Sequence, residues 1–495
     1  MDKDLQSIQE VRDLIAKSKI AQSELQRFSQ IRIDDITKAI ADACEQNAEK
    51  LAKMAVEETG FGIWQDKVIK NKLGSRLVYE YIKELKTVGI INDDKEKKVF
   101  EVAVPVGVVA ALIPSTNPTS TTIYKALISI KAGNSIVFSP HPSAKKCIFE
   151  TVKIIRDAAE SAGAPKDTVQ CISIPTIEAT NELMGHKDIG IILATGGPAM
   201  VKAAYSSGNP AIGVGAGNGP AFIERTADIQ LAVKRILDSK TFDNGTVCAS
   251  EQSIVTESCI KDKVMAELKK QGAYFLNDEE SKKVERTLLR ANGTMNPAIV
   301  GKSVKVIADM AGILVPEGSR VILSEQTKVG EKYPYSREKL CPVLAFFVED
   351  TWEKACEKCM QLLFNEGAGH TMTIHSNDEK LIREFALKKP ISRLLVNTPA
   401  TLGGVGASTN LIPALTLGCG AVGGSATSDN VGPLNLFNMR RVAYGVKELE
   451  EIKVESGKSS INLQDSKTIS KTEGYSYQDI EKITREVIKN IMNKN

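Results

Sequence analysis

Apolar residues recur at three- and four-residue spacing from Asp34 to Thr59, and the recurrence stops at Gly60-Phe61-Gly62, which predicts a helical entry segment. Between Val102 and Glu224 the pattern changes: the short β-branched runs VAVPVGVVAALIP, SIVFSP, VQCISIP, IGIILATGG and PAFIE alternate with helical stretches such as SAKKCIFETVKIIRDAAESAG. Such alternation predicts a parallel sheet wrapped by helices. It resumes after Ala249, with QSIVTE, ILVPE, VLAFFVE, HTMTIHS and SRLLVN as strands and VMAELKKQG, WEKACEKCMQLLF and EKLIREFAL as helices. A second α/β domain follows, with a boundary expected near residues 235–245, between ADIQLAVKRILDSK and the loop FDNGTVCASEQ.

The stretch from Gly403 to Gly432 is rich in glycine and almost free of charge, so it is expected to run as loops packed inside the protein or beside a ligand. Beyond Leu449 the chain turns polar and rich in Ser, Lys and Thr, as a flexible linker does. It ends in SYQDIEKITREVIKNIMNKN, where Ile480, Ile483, Val487 and Ile491 share one helical stripe, flanked by Thr484, Ile488 and Met492. Ser476 with Asp479 supplies a start signal for this amphipathic helix. Its apolar stripe cannot bury itself alone, so a partner groove or the protein's own oligomer is expected to cover it.

Composition narrows the function. With 495 residues, 42% hydrophobic and 25% charged, the chain is long enough for two cores. Lys+Arg at 64 against Asp+Glu at 61 leaves +3, too little for a field that would draw nucleic acid or lipid, so small-molecule chemistry is expected. The opening MDKDLQSIQEVRDLIAKSKIAQSE lacks a secretory apolar core, and no apolar run reaches the roughly 20 residues of a membrane span, which predicts a cytoplasmic protein. The nine cysteines are scattered, unlike a disulfide scaffold, so reduced thiols are expected. Cys356 and Cys359 have half the spacing of a zinc site but no second pair, and they fall in an amphipathic helix; core cysteines and no metal are expected.

One cysteine stands apart. Cys248 lies in Phe242-Asp243-Asn244-Gly245-Thr246-Val247-Cys248-Ala249-Ser250, a loop of small residues that presents a side chain rather than burying it. A thiolate there can attack a carbonyl carbon if backbone N–H groups or a cation lower its pKa. Local sequence alone also fits an inert residue at a turn, the commoner state of a free cysteine. The segment Gly213-Val214-Gly215-Ala216-Gly217-Asn218-Gly219-Pro220 is not a phosphate loop, since it lacks a following Lys-Ser/Thr and does not open a helix.

FDNGTVCASEQ, the upstream ALIPSTNPTSTTIYKALISIKAGNSIVFSPHPSAKK, the LATGG turn and the late GGVGASTN and GCGAVGGSATSDNVGPLNLFN together resemble the aldehyde dehydrogenase superfamily, specifically its CoA-acylating branch, in order over roughly residues 30–450. The resemblance implies an α/β fold with a Rossmann-like nucleotide-binding domain over 1–238, a catalytic domain over 239–430 and a β oligomerisation arm over 431–453, followed by the linker 454–474 and the helical tail 475–495. It implies that Cys248 is the nucleophile, that its thiohemiacetal gives hydride to NAD, with NADP left open because no acidic ribose reader follows SIVFSP, and that coenzyme A takes the acyl group. The oxyanion would be held by the Cys248 backbone N–H and a side-chain amide, for which Asn117 in Pro114-Ser115-Thr116-Asn117-Pro118 is the candidate. Hydrolytic relatives carry their asparagine midway between the prolines, where this chain has Thr116.

Val214 stands where hydrolytic relatives carry a water-activating glutamate. A CoA thiol, with a pKa of roughly 8–9 by analogy with cysteine, is deprotonated far more easily than water, so the gap favours thiol acceptance. His370, in Gly369-His370-Thr371, resembles the Gly-His-Thr of CoA-acylating relatives, as a base towards CoA or an orienting group; a strand-start histidine with satisfied hydrogen bonds fits equally. For the dinucleotide, Thr195, Gly196 and Gly197 would face the pyrophosphate, Pro114, Ser115, His141 and Pro142 would line the nucleotide site, and Glu338 would hold the nicotinamide ribose. No G-x-G-x-x-G occurs, in keeping with the superfamily's mode of binding NAD.

Acetaldehyde and propionaldehyde lead as substrates, with butyraldehyde and succinic semialdehyde open. The tail resembles encapsulation peptides, which implies a bacterial microcompartment shell protein as partner and a location inside such a compartment. LFNMRRVAYGVKE, 436–448, would add a strand to a neighbouring subunit, giving a homodimer or higher oligomer. A hydrolytic aldehyde dehydrogenase and a catalytically silent nucleotide-binding or shell-interaction protein are the rival expectations.

Overall fold

In the computed structural model, which describes residues 2–452, strand β1 (Val108–Ile113) is buried at every position and pairs on both sides, so VVAALI shows no polar alternation. It is the centre of a five-stranded sheet with β2 (Ser135–Pro140), β3 (Val169–Cys171), β4 (Ile189–Thr195) and β5 (Ala211–Val214), in the order β3-β2-β1-β4-β5. Every ladder is parallel. Strand order runs outward from β1 to β3 and then jumps to the other side at β4. At such a switch point the connections leave in opposite directions, and a crevice opens beyond the carboxyl ends of β1 and β4.

Helices cover both faces. Ile36, Ile40, Leu127, Ile148 and Val152 close one core, and Val11, Ile15 and Leu183 close the other. The helical segment expected over 34–59 is two helices, Gln30–Gln46 and Ala48–Thr59. Asn47 separates them: its side-chain amide donates to Ala43 O at 2.9 Å, a local bond that competes with continuation of the helix. Gly60 then ends the second in the left-handed region, φ 67°.

A second sheet has seven parallel strands: β6 (Gly219–Ile223), β7 (Glu251–Glu257), β8 (Ala273–Phe275), β9 (Val321–Glu325), β10 (Val343–Glu349), β11 (Gly369–His375) and β12 (Ile391–Val396), in the order β8-β9-β10-β7-β6-β11-β12. One expectation is corrected here: ILVPE is not a strand; Leu314 is 90% exposed, and the neighbouring VILSE takes the place beside β10. The second sheet takes up the chain ahead of residues 235–245. β6 already pairs with β7 and β11, and the helix Ile229–Thr241 packs Val233, Ile236 and Leu237 against that sheet. The crossing between sheets is therefore the Gly-rich run between β5 and β6.

A third sheet joins Gly89–Asp94, Val99–Pro105 and Phe437–Ala443 in that order. Residues 2–93 with Phe100–Val442 form one compact unit that holds both large sheets, while Asp94–Val99 and residues 443–452 form a second, small unit. The linker 454–474 and the helical tail 475–495 lie outside the described residues. Among the described residues no helix is long and apolar enough to cross a membrane, and no group of three or more His, Cys, Asp or Glu side chains can hold a metal ion.

Candidate active site

The helix Ile229–Thr241 stops at Phe242, and the next three residues take positive φ: 51° at Asp243, 51° at Asn244 and 77° at Gly245. Three left-handed residues in succession turn the chain sharply before it enters β7. The turn brings Cys248, partly exposed, onto a cavity of about 320 Å³. Both sheets contribute to it. The first supplies Pro114 and Ser115 beyond β1, His141 beyond β2, and Thr195, Gly196 and Gly197 at the end of β4; the second supplies Thr246, Cys248 and Glu338. Apolar side chains, among them Phe242, Leu340, Val405, Leu415 and Leu417, line much of the rest.

Asn117 lines the same cavity, with its amide fixed from two sides: Nδ2 donates to Thr246 O at 2.9 Å, and Oδ1 accepts from Lys70 Nζ at 2.7 Å. Thr116 also lines the cavity, and its carbonyl accepts from Lys67 Nζ at 2.9 Å. Burial pushes the Cys248 thiol up to about 12, reinforced by Glu338 and Cys419, while Arg393 and the cysteine's own backbone N–H pull the other way. At neutral pH the resting thiol is therefore protonated. Burial likewise lifts the Glu338 carboxyl to about 8, against the N–H of Gly217, which it accepts at 2.9 Å.

Gly217 lies between Cys248 and His370. A Cβ there would stand 1.9 Å from Cys248 O and 3.3 Å from His370 Cδ2, so only glycine lets these segments meet. His370 starts β11 fully buried, with Nδ1 3.0 Å from the Thr371 hydroxyl and Nε2 buried without a protein partner. Burial, and then the charge of Arg393, lower its pKa to about 3, so the ring is neutral. His370 stands behind the cavity rather than in its wall, and Pro142, which opens a short helical turn after His141, is not in the wall either. Every other candidate residue is.

At the β4 side of the cavity, Thr195-Gly196-Gly197 leads from β4 into the helix Pro198–Tyr205. A Cβ at Gly197 would meet nothing within 4 Å, and the same holds at Gly215. The backbone there is bare on the crevice side, which fits close approach of a pyrophosphate at a helix start. Val214, 3% exposed, lines the cavity with an apolar side chain. Glu338 is the one carboxylate among the described lining residues.

Sequence reasoning missed Lys67, Lys70 and Asp243. They are separated by 176 and 173 residues along the chain yet form a buried cluster beside Asn117 and Thr246. Burial lowers the Lys70 ammonium to about 8 against the pull of Asp243; burial raises the Asp243 carboxyl, but Lys70 and Lys67 outweigh it and hold it below its ordinary value. The i, i+3 spacing of the lysines marks a helix face and carries no signal of what that face meets.

The sequence signature of the aldehyde dehydrogenase family matches residues 4–331. The bifunctional aldehyde-alcohol dehydrogenase AdhE of Escherichia coli strain K12 is 46% identical over 442 residues, covering 88% of this chain and 50% of that protein. This chain thus spans about half the length of such relatives. It is 42% identical over 438 residues to the succinate-semialdehyde dehydrogenase (acetylating) of Clostridium kluyveri, covering 88% of this chain and 96% of that one. The crystal structure of a probable aldehyde dehydrogenase from Listeria monocytogenes EGD-e superposes with a TM-score of 0.91 at 67% identity, covering 91% of this chain and all of that one. With the parallel sheets, the crevice and the presented cysteine, these likenesses show that the chain belongs to the aldehyde dehydrogenase family.

Proposed function

We propose that the protein oxidises a short-chain aldehyde, acetaldehyde or propionaldehyde, to its acyl-CoA with NAD as electron acceptor, reversibly, through Cys248. The observation that carries this reading is the cavity itself, where Cys248 opens beside the switch-point crevice while Val214 puts an apolar side chain where a water-activating carboxylate would be needed. The acetylating relative from Clostridium kluyveri supports the same acceptor.

The Cys248 sulfur adds to the aldehyde carbon as its thiol proton passes to water at the cavity mouth, and the new C–S bond leaves an oxyanion between the Cys248 N–H and the Asn117 amide N–H. Bound NAD would supply the hydride acceptor. Loss of hydride leaves a thioester on Cys248, which the CoA sulfur attacks; acyl-CoA departs, and the leaving Cys248 sulfur takes up the proton given by the CoA thiol, restoring the resting thiol. Thr195, Gly196 and Gly197 would hold the pyrophosphate; Pro114, Ser115, His141 and Pro142 would border the nucleotide; and Glu338 would meet the ribose. His370, neutral and with Nε2 lacking a protein partner, would orient the segment around Gly217. The apolar wall excludes water, which protects the thioester from hydrolysis.

Purified protein given acetaldehyde and NAD should form NADH only when CoA is present, and Cys248→Ser should abolish it. CoA-independent turnover to free acid, or full activity of the serine variant, would sink the reading. On the sequence of 475–495 we also propose a place inside a bacterial microcompartment, with a shell protein as partner; a fluorescent protein carrying that tail should become punctate in shell-producing cells. The exposed strand Phe437–Ala443 supports assembly as a homodimer or larger, to be read by light scattering.

A further inference from the structure

Two lysines and an aspartate without a part in the chemistry above are buried together beside the cavity. The Asp243 side chain has no exposed surface, and Lys67 and Lys70 keep 3% and 5%. A buried carboxylate is tolerated only when its lone pairs are used. Asp243 accepts from Lys67 Nζ at 2.9 Å, from Lys70 Nζ, from the Ile63 N–H at 2.7 Å and from the Thr246 hydroxyl at 2.6 Å. The cradle is closed tightly: a Cβ at Gly62, whose φ is 76°, would stand 1.8 Å from Asp243 Oδ1. Asp66 completes the group, accepting the Asp243 N–H at 2.7 Å.

Lys70 has a further contact, 2.7 Å to Asn117 Oδ1. An amide side chain can sit either way round, and its neighbours choose. An ammonium only donates, so the atom facing Lys70 must be the amide oxygen. The NH₂ is thereby turned to the opposite side, where it donates to Thr246 O at 2.9 Å and, by a long contact of 3.5 Å, to Thr116 Oγ1, on the side of the cavity that Thr116 and Asn117 both line. Flipped, the amide would set its NH₂ against a cation and its oxygen against the Thr246 carbonyl, and would present a lone pair to a developing oxyanion. Lys67 clamps the adjacent residue through Thr116 O at 2.9 Å.

We propose that Lys70 is a positioning residue for the oxyanion: it orders the Asn117 amide so that N–H rather than C=O faces the reacting carbonyl, with Asp243 and Lys67 holding it in place. This rests on the reading of Asn117 as an oxyanion donor. Because Asp243 keeps Lys67 as a partner, Lys70→Met removes the ordering contact without stranding the carboxylate.

The test is a double-mutant cycle on the full chain with acetaldehyde, NAD and CoA. Asn117→Ala should lower kcat by about 10²-fold or more, the scale of a lost oxyanion donor. Lys70→Met should lower kcat at least about tenfold with KM for NAD little changed, a loss confined to the transition state. The double variant should be no slower than Asn117→Ala alone, within about twofold, since Lys70 acts through that amide. Penalties that multiply, or a full-rate Lys70→Met beside a crippled Asn117→Ala, overturn the role of Lys70 and leave the proposed reaction standing. A full-rate Asn117→Ala removes the oxyanion reading and this inference with it. Lys70→Gln, which keeps a donor and serves where the Met variant fails to fold, should retain at least about a third of the wild-type kcat; a fall as deep as that of Asn117→Ala overturns ordering by donation.

Discussion

At the scale of single residues the site is defined by a thiol held protonated. Burial first, then the charges of Glu338 and Cys419, place the Cys248 thiol at about 12, so the thiolate fraction of the free protein still grows with pH far above neutrality. Alkylation by iodoacetamide should accelerate by about tenfold per unit from pH 7 towards pH 8 and show no plateau by about pH 9. Glu338, at about 8, gains its charge in the same window and should make the rise slightly shallower above it. A plateau below pH 8 would mean a thiol activated in the resting protein. Gly217 gives a second prediction. Since a Cβ would stand 1.9 Å from Cys248 O, Gly217→Ala must push the loop that carries the thiol, and kcat should fall by about 10²-fold, the scale of an ångström of misplacement. Steady-state kinetics on the folded variant checks it.

At the scale of elements, runs with both faces buried were legible because they carry unbroken apolar sequence: β2, β4, β10 and β11 lie where the runs predict, while the run VAVPVGVVAALIP divides between Val99–Pro105 in the third sheet and β1 in the first. Short strands were not. ILVPE and VILSE have the same apolar character, and the choice between them lies in the ladder to β10, a contact that periodicity does not encode. β8, three residues long, and β5, four, fall below the length at which alternation or a run can be seen. The helices over the second sheet are anchored by aromatic contacts. Phe385, fully buried, stacks on Phe222 at 5.1 Å between ring centroids, so Phe385→Ala should cost about 3–5 kcal/mol of stability. Urea denaturation measures it; since Phe385 is not in the cavity wall, kcat of the folded fraction should stay unchanged.

At the scale of the whole molecule, the cavity draws its lining from residues between Lys70 and Leu417. Removing residues 454–495 should therefore leave kcat and the melting temperature unchanged while abolishing any compartment targeting; loss of turnover in the truncated protein would show that the tail takes part in catalysis. The passage from one sheet to the other is also decided at this scale, because β6 follows β5 after four residues and only its pairing partners reveal that it opens the second sheet. The alternation of strands and helices, the presented cysteine and the glycine turn after β4 were determined by the sequence alone, since each is a local pattern of apolarity or backbone freedom. The rest was decided by tertiary structure: His370 standing behind Gly217, the wall of the cavity, and two lysines meeting an aspartate across 173 and 176 residues to order one amide. Burial and charge pairing depend on which distant segments are packed together, and no local spacing carries that information.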